Sequence, residues 1–126
     1  MNLAIKSVLD GGDVNKERIV LQALDDENVG EYAIFRAANN EDHVVTTDVS
    51  HVFWFPDKVV SAGDHVVVYT KRGTDKEKLL NSGSRSHFFY WGLSESLWRS
   101  DQYAVVALHV DSWVSHLPSS RLGRRR

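Results

Sequence analysis

SHFFYWGLSESLW, residues 86–98, places four consecutive aromatic side chains, Phe88 to Trp91, directly before Gly92. Successive side chains of a strand point to opposite faces, so His87, Phe89 and Trp91 share one face and Phe88 and Tyr90 share the other. A strand with one buried face needs only one of these sets to be apolar. The second set must be covered too, either by the protomer's own loops or by another chain.

Working outward, the dominant period of the chain is two. ERIVLQAL sets Ile19, Leu21 and Ala23 against Arg18 and Gln22. EYAIFRA opposes Tyr32 and Ile34 to Ala33 and Phe35, and MNLAIKSVL lines up Leu3, Ile5 and Leu9. VVTTDVSHVFWF is rich in β-branched and aromatic residues and ends at Pro56, which cannot continue a central ladder. SAGD at 61–64 has tight-turn composition and precedes HVVVYT. KRGTDKEKLLNSGSRS reads as a long polar loop with one helical turn around Glu77 to Leu80. QYAVVALHVDSWV reads as the longest strand, with Ala104, Val106, Leu108 and Val110 on one face and Tyr103, Val105, Ala107, His109, Asp111 and Trp113 on the other. No segment is long and periodic enough for a βαβ crossover helix. The expected class is all-β, an immunoglobulin-like antiparallel β-sandwich of about seven to nine strands with little or no helix.

A chain of 126 residues suits one domain, expected over residues 1–117, followed by a flexible basic tail over 118–126. Net charge is −2, but RLGRRR at 121–126 holds four of the 15 basic residues, leaving 11 against 17 acidic ones in the rest. A body near −6 is a poor match for nucleic acid, whose binding rests on phosphate neutralisation. Contact with an anionic partner is therefore expected only through Arg121, Arg124, Arg125 and Arg126. There are no cysteines, which excludes disulfides, thiolate metal sites and thiol nucleophiles and fits a reducing compartment. The first apolar run is broken by Lys6 and Ser7, too short for a signal peptide, and no stretch is long enough to span a bilayer. A soluble, cytoplasmic protein is expected, with no membrane partner.

The order YAIFRAANNED, FWFPDKVVSAGDHVVVYT and HFFYWGLSESLWRSDQYAVVALHVDSW resembles the lamin tail domain, over roughly residues 15–115. The likeness rests on Phe55-Pro56, on Ala62-Gly63-Asp64 before Val66 to Tyr69, and on Arg99-Ser100-Asp101 before Tyr103 to Val110. It implies an immunoglobulin-like sandwich of the small standalone bacterial or phage type, acting by binding instead of catalysis. The family's heptad rod and prenylated cysteine have no counterpart here, so the resemblance implies no filament or nuclear-envelope role.

Six histidines invite a catalytic or metal reading. His109 and Asp111 share a strand face, and His87 sits on an aromatic wall with Phe89 and Trp91. Zinc wants three or four converging ligands, and a pair supplies half of that. Asp48 and His51 have odd spacing and point apart in an ideal strand. Three Ser-His dipeptides are not dyads, because neighbours in a strand face opposite ways, and no Gly-x-Ser-x-Gly elbow marks a nucleophile. The carboxylates Asp25, Asp26, Glu27, Glu41 and Asp42 lack the spacing of a calcium loop. Tyr69, Lys71, Arg72 and Tyr90 are the residues that would stack on single-stranded nucleic acid. Trp91, Trp98 and Trp113 lie close in sequence to the last two strands and read as one aromatic floor, with a core role favoured over a ligand cage.

Two functions follow. The first is a non-enzymatic interaction module, binding a protein partner or itself as a homodimer, with Trp54, Tyr90, Trp91 and Trp113 as its surface. The second is a small hydrolase or nucleotide-binding protein using His87, His109 and Asp111. No cofactor and no metal are expected.

Overall fold

The computed structural model describes residues 1–119 and is all-β. The expected basic tail, beyond Pro118 and Ser119, lies outside the described residues together with Arg121, Arg124, Arg125 and Arg126. Ten strands follow one another: β1 (Leu3–Leu9), β2 (Arg18–Ala23), β3 (Glu27–Asn28), β4 (Tyr32–Asn39), β5 (Val45–Trp54), β6 (Val59–Val60), β7 (His65–Tyr69), β8 (Lys76–Leu79), β9 (Arg85–Tyr90) and β10 (Tyr103–His109). The helical content of the described residues is one 3₁₀ turn, Val29–Glu31, capped by the Asn28 side chain. No helix there is long and apolar enough to cross a membrane.

Five strands form one sheet in the order β1-β2-β7-β9-β8, three form a second in the order β10-β4-β5, and β3 pairs with β6. The inner faces of the two larger sheets feed one core. Ile19, Leu21 and Ala23 of β2, Val66 and Val68 of β7 and Phe89 of β9 meet Tyr32 and Ile34 of β4 there. Phe55, just past β5, sets its ring edge-on to Phe89 at 5.3 Å, and Phe53 links Phe55 (5.1 Å) to Trp91 (5.6 Å). Each large apolar side chain buried this way contributes about 1.5–3 kcal/mol.

Strand β9 is an interior strand, flanked by β7 and β8. Phe89 is buried, and Phe88 and Tyr90 are half-buried on the opposite face. The protomer covers part of that second face itself. Tyr69 stacks on Tyr90 at 5.4 Å, Lys71 lies over Tyr69, and the loop after β7 lays Gly73 against the Tyr90 ring so closely that an added Cβ would fall 2.4 Å from it. Leu79, in the same polar stretch, is 59% exposed.

Several expectations need correction. The pairing is not wholly antiparallel: β7 and β9 run parallel, His65 opposite Ser86 and Tyr69 opposite Tyr90, because β8 passes outside and the β8–β9 hairpin inserts β9 next to β7. The segment 76–79 is a strand instead of a helical turn. Its charged side chains are exposed and blunt the open edge of the sheet. The last strand ends at His109, leaving 110–119 without regular structure, and β5, at ten residues, is the longest. In β1 a bulge at Lys6 shifts the register, so Leu9 pairs with Arg18 and is 39% exposed, not aligned with Leu3.

Candidate functional site

Two buried polar clusters hold the framework. The tight turn after β1, in which the Lys16 and Glu17 amides donate to the Asp13 carbonyl, directs Glu17 inward, and Glu17 is fully buried. Its Oε1 accepts from the amides of Gly12 (3.0 Å) and Trp98 (3.0 Å) and the Ser96 hydroxyl (2.7 Å). Its Oε2 accepts from the Leu97 amide (2.9 Å) and the Thr70 hydroxyl. Burial pushes this carboxyl up, but the donors from Gly12, Leu97, Thr70 and Ser96 outweigh it and hold it below the usual glutamate range. All five partners stabilise the anion, so Glu17 is a structural clamp between three loops.

The second cluster is Asp64 with His87. His87 Nε2 lies 2.8 Å from Asp64 Oδ2, and both side chains are at most 5% exposed. Asp64 also accepts the amides of Ser61 (3.0 Å) and Arg85 (2.9 Å). Burial raises its carboxyl, but the His87 contact and these amides bring it below the ordinary aspartate value. An ionised carboxylate only accepts, which assigns the Nε2 proton to His87. Nδ1 sits 3.5 Å from Glu77 Oε2 with no hydrogen bond of its own.

His109 belongs to the other sheet. Its ring stacks on Tyr32 at 4.5 Å and its Nε2 lies 3.1 Å from Glu31 Oε1. Asp111 is exposed beyond the end of β10. The structure therefore does not bring His87, His109 and Asp111 together: His87 is engaged by buried Asp64, and His109 by Glu31 on the surface. Among the described residues, Glu27, Glu31 and His109 could hold a metal, their ligating atoms lying within 4.8 Å of one another. Glu27 already accepts the Tyr32 hydroxyl at 3.2 Å, and burial with these two carboxylates pushes Tyr32 above the usual tyrosine range.

The outer face of the β10-β4-β5 sheet is different in kind. Its cross-strand rows are Leu108–Ala33–Trp54, Val106–Phe35–Val52 and Ala104–Ala37–Val49, without an ionisable side chain. Leu108, Trp54, Val52 and Val49 are 48, 47, 60 and 47% exposed. Val49 and Val52 have odd spacing and reach the same face because His51 is extruded between them as a bulge, at φ 55°. The same bulge turns Ser50 the other way, where its hydroxyl meets Arg36 Nε at 3.2 Å. The Trp54 indole donates to the Gly30 carbonyl at 2.8 Å, and Trp113, 60% exposed, packs edge-on to it at 4.9 Å.

No protein-family model matches the chain, and no curated protein matches it. Of the four residues expected to form one surface, Trp54 and Trp113 do meet. Trp91 instead packs against the core beside Phe53, and Tyr90 lies on the outer side of the five-stranded sheet. Trp98 is buried, with its amide on Glu17, so Trp91, Trp98 and Trp113 form no common floor. Tyr69, Tyr90 and Lys71 do converge as a stack with a cation above it.

Surface clefts of about 240 to 460 Å³ open at the β4–β5 and β10 ends, beside Arg36 and at Pro56 to Lys58, and His87, His109 and Asp111 do not line these. Two of these clefts adjoin at Arg36, beside Ser94, Glu95 and Ser96. The Glu17 clamp and the Asp64 acceptor carry no local sequence signal. The sheet face does carry one: Tyr32 and Ile34 on one side of β4 and Ala33, Phe35 and Ala37 on the other are all apolar or aromatic.

Proposed function

We propose that this chain is a non-enzymatic interaction module, an immunoglobulin-like β-sandwich similar to the lamin tail domain, that acts by docking protein onto the outer face of its β10-β4-β5 sheet. The observation that carries this reading is that face: three apolar cross-strand rows whose outer members Leu108, Trp54, Val52 and Val49 are open to solvent, an arrangement that marks interaction surfaces when it exceeds a few hundred Å². The two larger sheets sharing one core, and the turns at Pro56 and Gly63, support the sandwich reading. The hydrolase alternative draws no support from His87, His109 and Asp111, which are held apart: His87 by buried Asp64, His109 by Glu31, and Asp111 in solvent.

The test compares the full chain with a Val52→Lys/Leu108→Lys variant as bait in lysate of its native host, with bound protein quantified by mass spectrometry. Retention of discrete proteins, copies of the chain included, that is lost on the variant supports the module. A hydrolytic or nucleotide-binding activity that disappears in His87→Gln and survives in the face variant overturns it.

A further inference from the structure

We infer that the occupant of the β10-β4-β5 face is a second copy of this chain, docked face to face; the inference rests on the interaction-module reading above. Two properties of the face point to self-association. It carries no ionisable side chain in its three rows, so apposing the face with itself brings no like charges together, whereas a charged surface would demand a complementary partner. Its size also fits. From the exposures of Val49, Val52, Trp54, Leu108 and Trp113, the open apolar area is about 600 Å² per copy, or about 1,200 Å² for the pair, the lower end of stable specific interfaces.

The described chain beyond β10 does not close the face. The segment beyond β10 leaves Val114 and Leu117 at 95 and 89% exposure, adding apolar surface instead of removing it.

The rows also suggest the symmetry. One end of the face is bulky, Leu108 and Trp54 with Trp113 against it, and the other is shallow, Ala104, Ala37 and Val49. A two-fold axis lying in the interface, across the strands along the Val106–Phe35–Val52 row, sets the bulky end of each copy over the shallow end of the other. Val52 then meets the partner's Val52, and Trp54 meets the partner's Val49.

The test is sedimentation velocity of the full chain over roughly 1 to 200 μM, with disulfide trapping made simple by the absence of native cysteines. The expected wild-type species has twice the 14.3 kDa chain mass at the upper concentrations. Val52→Lys/Leu108→Lys should weaken association by about 100-fold or more with an unchanged far-UV spectrum, while Leu79→Lys, on the exposed β8 edge, should leave it unaltered. Oxidation should cross-link Val52→Cys to itself. It should join Trp54→Cys to Val49→Cys in a mixture while leaving Trp54→Cys alone uncoupled.

A wild-type monomer throughout the range overturns the second copy. The module reading then stands if lysate proteins are still lost on the face variant, and falls with it if none are. A dimer that persists in Val52→Lys/Leu108→Lys places the contact elsewhere and also overturns the inference.

Discussion

Replacing Glu17 with glutamine removes one charge and converts one acceptor oxygen into a donor, at a site where five donors converge on two oxygens. The least damaging placement puts the amide nitrogen where Oε2 stood. The Thr70 hydroxyl can rotate to accept from it, but the Leu97 amide faces a donor and is left buried without a partner. An orphaned buried donor costs about 1–3 kcal/mol, and bonds to Oε1 lose their charge assistance, so Glu17→Gln should cost about 3 kcal/mol. Glu17→Ala strands the amides of Gly12, Leu97 and Trp98 together. That is a loss on the order of 5 kcal/mol, comparable to the whole stability of a small domain, and this variant should fail to fold. The assay is urea unfolding followed by far-UV circular dichroism, near neutral pH and at steps into acid. Because the folded-state carboxyl lies below its unfolded value, its stabilisation is complete above the unfolded pKa of about 4.3 and is lost as pH falls through the folded pKa. Wild-type stability should therefore fall in acid, and Glu17→Gln should fall less, with Asp64 supplying the remaining slope. A loss under about 1 kcal/mol, or an acid slope equal to wild type, would refute the clamp.

Two further variants probe the rest of the framework. Asp64→Asn can keep the Ser61 and His87 contacts but turns its amide nitrogen on the Arg85 amide, costing about 1–3 kcal/mol; thermal unfolding should shift down by about 4 to 10 °C, and an unchanged midpoint contradicts the assignment. Gly73→Ala places a Cβ 2.4 Å from the Tyr90 ring and should cost about 1–3 kcal/mol. In a Tyr90→Ala background the same change should cost under about 0.5 kcal/mol, and a double-mutant cycle without that coupling would remove the loop from the aromatic face.

Alternation made the centre of the fold readable. Ile19, Leu21, Ala23, Tyr32 and Ile34 are buried as the period of two requires, and Pro56 and the SAGD turn mark the end of β5 and the start of β7. What stayed hidden depends on partners distant in sequence. KEKL has no apolar alternation and becomes a strand because the outer edge of β9 offers it a ladder. The parallel β7–β9 pair follows from where a hairpin inserts, which no local period encodes. Glu17 looks like any surface charge, and its donors come from the adjacent turn, from Thr70, and from a loop about 80 residues on. The sheet face was half legible: Trp54, Trp113 and the apolar or aromatic residues on both sides of β4 were visible, whereas the His51 bulge that brings Val49 beside Val52 was not.

The insertion of β9 between β7 and β8 also bears on how this protein fails. Withdrawing the β8–β9 hairpin would uncover the ladder edge of β7, the run HVVVYT, which has high β-propensity, no Pro and no acidic or lysine gatekeeper within it. Partial opening of a sheet at such a strand templates intermolecular pairing. The Asp64–His87 contact spans this seam, joining the residue before β7 to the inner face of β9. Acid, which discharges Asp64, therefore weakens the fastening of the segment most prone to fibril growth, and aggregation should begin there before the rest of the fold is lost.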